Sequence, residues 1–184
     1  MIIDGPVVFA FNRFYQGREE LGATSSWERT WLGSIINFFG DEVKIFNPDI
    51  FGPNSSSESD SALISLLNES GARLLLMVFH NGLDWKRSFI SDKALRHIRE
   101  TGVRIVAIWG DLQISAQRSL ALSLRDTVDL NLATASESVV ARLSHDLPII
   151  YSWVPIIDSP IQSTELCNCG AQVSYAGSVR RSRL

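Results

Sequence analysis

The sequence predicts an α/β fold: a Rossmann-like parallel sheet flanked by helices. Three observations carry that expectation. Short apolar, β-branched runs recur along the 184 residues, each followed by a stretch of helical periodicity, which is the pattern of repeated β-α-β units. Two of the runs, Leu74–Phe79 and residues 103–108, are apolar almost throughout, as strands buried on both faces are. Glycines stand where helices should stop, at Gly40, Gly71 and Gly102.

The elements follow in order. Residues 7–11, Val-Val-Phe-Ala-Phe, predict the first strand. Trp27, Trp31, Ile35 and Phe39 then recur every fourth residue, with Leu32 and Ile36 widening the stripe of a helix that ends at Gly40. Val43–Phe46 predicts the second strand, stopped by Asn47-Pro48 because proline cannot donate to a ladder. The serine-rich stretch 54–61 predicts a surface loop. Ala62, Leu63, Leu66 and Leu67 share a helix face that closes at Gly71, ahead of the strand Leu74–Phe79. Ile90, Ala94, Leu95 and Ile98 define the next helix, capped by Gly102, ahead of the strand at 103–108.

Residues 112–126 predict a helix with Ala116, Leu120 and Leu124 turned inward. Val128, Leu130 and Leu132 alternate with Asp129 and Asn131, which predicts a strand towards the sheet edge with its polar side in solvent. Thr134-Ala135-Ser136-Glu137 has the spacing of a capping box with Thr134 as the cap, and Val139, Val140 and Leu143 continue that helix. Residues 149–153 predict a last strand. Pro155, Pro160 and the polar run to Gly170 then break both periodicities, so a domain over 1–154 is expected, followed at 155–184 by a linker and the first strand and turn of a truncated second domain.

Composition narrows the function classes. Lys and Arg number 17 against 20 Asp and Glu, a net charge of −3, and no basic stripe runs through the body of the chain, which argues against nucleic acid as a partner. The cluster Arg180, Arg181 and Arg183 reads first as a solvated face. The amino terminus lacks the basic and apolar regions of a signal peptide, and no apolar run approaches the roughly 20 residues of a membrane span, so a cytoplasmic protein is expected. Cys167 and Cys169 have no second ligand pair near them, since His80, His97 and His145 are scattered; neither a metal site nor a bound cofactor is expected.

Ligands of open parallel sheets bind beyond the carboxyl ends of the strands, which directs attention to the residues that follow them. These are Asn12 and Arg13, then His80 and Asn81, then Gly110 and Asp111, then Thr134 and Ser136, and Trp153. His80 and Asp111 are candidate bases for an acceptor hydroxyl, although a strand-end histidine bonded to a loop reads equally well for the first, and a cap of the helix that starts at Leu112 reads better for the second. Trp85 and Trp109 are candidates for an aromatic platform or for the core. The chain has no G-x-x-x-x-G-K loop, no G-x-G-x-x-G turn after its first strand and no G-x-S-x-G elbow.

Several short motifs carry a family resemblance. They are Trp109-Gly110-Asp111, Val128-Asp129-Leu130, Thr134-Ala135-Ser136, Pro148-Ile149-Ile150-Tyr151, and Val173-Ser174-Tyr175-Ala176-Gly177-Ser178 with Arg181. In this order they resemble the mid-section of a GT-B glycosyltransferase, most of all the CgeB-type, spore-maturation glycosyltransferase-like group. Trp27-Glu28-Arg29 and Val43-Lys44-Ile45-Phe46 resemble the entry to its first domain. The resemblance implies two facing Rossmann-like domains, of which this chain would supply the acceptor-side one, and a nucleotide-activated sugar as donor substrate, without an essential metal.

It implies donor contacts from Gly177, Ser178 and Arg181, and for the residues singled out by their place after the strands it leaves His80 or Asp111 as the catalytic base and Asn12, Arg13, Asn81, Trp109 and Ser136 as acceptor contacts. The acidic residues with which such enzymes hold the donor would lie past Leu184, on the rest of a second domain or on a partner chain. Two rival readings share the architecture: a non-catalytic binding or interaction domain, and a sugar-nucleotide epimerase.

Overall fold

The computed structural model describes residues 5–14, 31–51, 56–79, 90–110 and 112–152. Within them a single six-stranded sheet comprises β1 (Val7–Ala10), β2 (Val43–Phe46), β3 (Leu74–Phe79), β4 (Arg104–Trp109), β5 (Leu130–Ala133) and β6 (Ile149–Tyr151). Every neighbouring pair is parallel, and the order is β2-β1-β3-β4-β5-β6. The expected Rossmann-like fold class is therefore the one observed, and each of the six strands predicted for the first domain lies within two residues of its expected bounds, while the strand expected within 155–184 lies outside the described residues.

The helices are α1 (Gly33–Phe39), α2 (Ser56–Ser70), α3 (Asp92–Glu100), α4 (Ser115–Ser123) and α5 (Glu137–Leu143). Right-handed crossovers put the helices of all rightward steps on one face and those of a leftward step on the other. The step from β1 to β2 runs opposite to all later ones. Accordingly Trp31 and Ile35, before and within α1, pack with Val7, Phe9, Phe11, Leu74, Leu76, Val78 and Ile108 on one face. Residues of α2, α3, α4 and α5 pack with Val8, Leu75, Met77, Ile105 and Ala107 on the other.

All six residues of β3 are buried, as its unbroken apolar run predicts for a strand covered on both sides. The α2 helix ends in a paired turn: Ala72 N–H donates to Leu67 O and Gly71 N–H to Asn68 O, with Gly71 at φ 65°, a conformation that costs a residue without a Cβ little.

Four local expectations are corrected. The serine-rich stretch is helical from Ser56 onward: Ser61 Oγ donates back to Ser57 O, Ser59 is buried, and Glu58 in the first turn complements the helix dipole. The fourth helix is shorter than residues 112–126, and its inward face is Gln117, Ala121 and Leu124, with Ala116 exposed. Strict four-residue spacing drifts against a 3.6-residue turn, so a stripe chosen at 116, 120 and 124 departs from the buried face at one end.

The polarity of β5 is the reverse of that expected. Asn131 and Ala133 face the buried side, while Leu130 and Leu132 are half-buried. An asparagine that satisfies its amide internally is tolerated where an unpaired one would not be. Finally, Thr134 does not cap α5; Ser136 occupies the N-cap position, and the Thr134 hydroxyl bonds to Trp109 O and Gly110 O instead.

Candidate functional site

The chain order creates a switch point. From β1 the path leads left to β2 and then returns to β3 on the right, and in open parallel sheets such a point is where ligands bind. The register shows β3 outrunning β1. Pairing between β1 and β3 runs from Val7↔Leu74 to Ala10↔Met77, and β3, paired with β4 along its whole length, continues two residues further to Val78 and Phe79.

On the other side of the switch point, β1's exit is bonded to that of β2. Phe11 N–H donates to Phe46 O at 3.1 Å, and Asn47 Nδ2 donates to Phe11 O at 2.9 Å. Asp49 completes the attachment: its two carboxylate oxygens accept the backbone N–H groups of Arg13 at 3.0 Å and Phe14 at 2.8 Å. Asp49 sits in the short helical turn Pro48–Phe51 and is buried. Burial pushes its carboxyl above the ordinary carboxylate value, against the N–H donors of Phe14 and Arg13, which pull it down.

Asn12 and Arg13 therefore stand on a fixed backbone at the switch point. Arg13 is exposed, with its guanidinium 5.8 Å from the centre of the Phe14 ring. The sequence singled out Asn12 and Arg13 but missed the residues that set them, Asn47 and Asp49. The signal was present, since Asn-Pro-Asp is turn chemistry in which side-chain oxygens seek nearby backbone donors, but it was read only as a strand stop.

Further along the rim, β4 and β5 are joined by Thr134, whose N–H donates to Trp109 O at 3.0 Å and whose hydroxyl reaches Gly110 O at 3.0 Å. Ser152 N–H donates to Ala133 O at 2.9 Å and ties β6 to the same rim. Ser136 is exposed at the start of α5, its hydroxyl 3.1 Å from that of Ser138. It follows β5, three strands from β1, which at the usual strand spacing is about 14 Å from Asn12.

Trp109 is not on the rim surface. Its side chain is 0% exposed, stacks on Phe79 with ring centres 4.5 Å apart and 16° between planes, and donates Nε1–H to Asn131 Oδ1 at 2.8 Å. An indole with both faces and its one donor occupied in the core presents no platform to a sugar.

His80, Asn81 and Asp111 lie outside the described residues, as do Gly177, Ser178 and Arg181. The strands they follow are placed: β3 and β4 are adjacent, with Phe79 opposite Trp109. Among the described residues no group of three or more His, Cys, Asp or Glu side chains is placed to hold a metal ion, and no helix is long and apolar enough to cross a membrane. Comparison with family models, with curated proteins and with solved structures finds no match to the chain.

Proposed function

We propose that the chain forms the acceptor-side half of a glycosyltransferase, in which a hydroxyl of the acceptor attacks a nucleotide-activated sugar over the strand tips. The observation that carries the reading is the switch point at β1 and β3, with Asn12 and Arg13 fixed after β1 on one side and β3 extending two residues past its pairing with β1 on the other. The motif likeness to GT-B enzymes supports the same assignment.

In this reading the amides of Asn12 and Asn81 and the guanidinium of Arg13 orient acceptor hydroxyls. His80 or Asp111, the residues that follow Phe79 and Gly110 in sequence, takes the proton of the attacking hydroxyl as the new glycosidic bond forms and the bond from the anomeric carbon to the donor's phosphate oxygen breaks, the nucleotide leaving with that electron pair. Gly177, Ser178 and Arg181 belong to the donor side, where backbone N–H groups and a guanidinium suit a diphosphate. A second reading, binding without chemistry, is favoured by Asp49: this carboxylate, bonded to the Arg13–Phe14 backbone, is already consumed by two backbone donors.

Ligand-observed NMR on this chain, with a panel of glycosides and of sugar nucleotides, separates the two halves of the proposal. Glycosides should saturate the chain and lose affinity with Asn12→Ala, while saturable binding of sugar nucleotides to the chain alone would remove the acceptor-side assignment. Transfer is then assayed with a second Rossmann-like domain attached. Unchanged rates in both His80→Ala and Asp111→Asn would exclude those residues as the base, and no transfer with any donor would leave the binding reading.

A further inference from the structure

On the helical face remote from the switch point, α4 and α5 leave a groove of about 240 Å³ between them, lined by Val139 and Leu143 and flanked by Arg118 and Arg142. Four other arginines, Arg96, Arg99, Arg104 and Arg125, lie within 4.0 Å of carboxylates. Arg118 and Arg142 differ. Arg118 donates Nη1 to Gln113 O at 3.0 Å, and Arg142 donates Nε to Ser138 O at 3.2 Å; among the described residues neither faces a carboxylate.

Among the described residues each guanidinium thus keeps one two-donor edge unspent, Nε with Nη2 on Arg118 and Nη1 with Nη2 on Arg142. Such an edge matches the two oxygens of a carboxylate. The backbone bonds, both at exposed positions, place the two guanidiniums beside the groove.

The groove's size selects the class of occupant. Small-molecule sites usually enclose roughly 300–1,000 Å³, so this one is undersized for a cofactor and suited to one or two aliphatic side chains. Two cationic forks around an apolar floor call for acids flanking an aliphatic residue. We propose that the groove docks an acidic peptide segment of a partner protein, with one leucine-sized side chain against Val139 and Leu143 and carboxylates on Arg118 and Arg142. The proposal is independent of sugar transfer, since neither helix face borders the β1–β3 switch point.

Fluorescence anisotropy with a labelled, end-blocked peptide Glu-Glu-Leu-Glu-Glu tests it on the intact chain. Saturable binding is expected, weakened about threefold by Arg118→Gln or Arg142→Gln and about tenfold by both, and weakened further as salt is raised. A peptide with glycine in place of leucine, or lysine in place of each glutamate, should not bind. Both controls leave the protein unaltered, so their readout does not depend on how a variant folds. Equal binding of the glycine peptide, displacement by inorganic phosphate at equimolar concentration, or affinity unchanged in the double variant would each overturn the docking site.

Discussion

Trp109 and Asn131 meet beneath the helices: the indole Nε1–H donates to the amide Oδ1 at 2.8 Å, and the same amide's Nδ2 donates to Pro148 O at 3.2 Å. One asparagine thereby joins β4, β5 and the entry to β6. Its buried position is possible only because both ends of the amide are bonded.

Asn131→Ala should cost about 1–3 kcal/mol, because it strands the buried indole N–H of Trp109, while Pro148 O keeps the backbone N–H of residue 131 at 2.7 Å. Asn131→Asp should cost more at neutral pH than in acid, since an ionised carboxylate would face Pro148 O without a proton to donate. Urea unfolding followed by tryptophan fluorescence checks both; equal stability of Asn131→Ala and the parent would show that the pair contributes nothing net.

Asp49 predicts a specific pH dependence. Its folded carboxyl titrates above its unfolded value, chiefly through burial, so between the two values the folded state holds more protons and stability falls as pH rises. This contribution is fully present below the unfolded value and is lost as pH passes the folded one. Asp49→Asn removes that slope and replaces one acceptor by an amide N–H₂ that opposes the donor of Arg13 or Phe14. At pH 7 the variant should lose about 1–2 kcal/mol. Denaturation between pH 3 and 7 should show the parent gaining on the variant as pH falls; parallel curves would assign Asp49 no linkage.

At the start of α3, Ser91 Oγ accepts from Ala94 N–H at 3.1 Å and donates to Asp60 Oδ2 at 2.6 Å, while Ser91 N–H donates to Asp60 Oδ1 at 2.8 Å. The cap therefore also fastens α3 to α2. Ser91→Ala should cost about 1–2 kcal/mol, the usual value of a lost cap, and Asp60→Ala a similar amount. Because the two share one network, the double variant should cost less than the sum of the singles. Strict additivity in a double-mutant cycle would mean that Ser91 caps without help from Asp60.

Much of the fold was legible because period and breakers agree: Leu74–Phe79 is too apolar for anything but a central strand, and Gly40, Gly71 and Gly102 end helices where periodicity fades. The misses fall where tertiary partners override local pattern. Asn131 looks solvent-facing until Trp109 and Pro148 O are placed around it, and Thr134 looks like a cap until two carbonyls of the neighbouring strand come within reach. For the site, strand ends pointed to Asn12 and Arg13 without geometry. Only strand order shows that they border the switch point, and only the fold brings Asp49 from 36 residues away onto the Arg13 backbone.

Asp129 distinguishes an ion pair that matters from one that does not. Its Oδ1 lies 2.9 Å from Arg104 Nη1 and 3.7 Å from Arg99 Nη2, while Oδ2 accepts the backbone N–H of Ile105 at 2.8 Å. Arg104 has a side chain 69% exposed, and ion pairs of that kind contribute about 0.2–1 kcal/mol. Arg104→Ala should therefore shift stability within that range, and the shift should vanish in molar salt. Asp129→Ala removes the acceptor of a backbone donor at the start of a central strand as well as both ion pairs. Its cost should reach about 2–3 kcal/mol and persist in salt, because the hydrogen bond to Ile105 is not screened away. Equal losses for the two variants, disappearing together as salt is added, would show that the cluster acts through its surface charges alone.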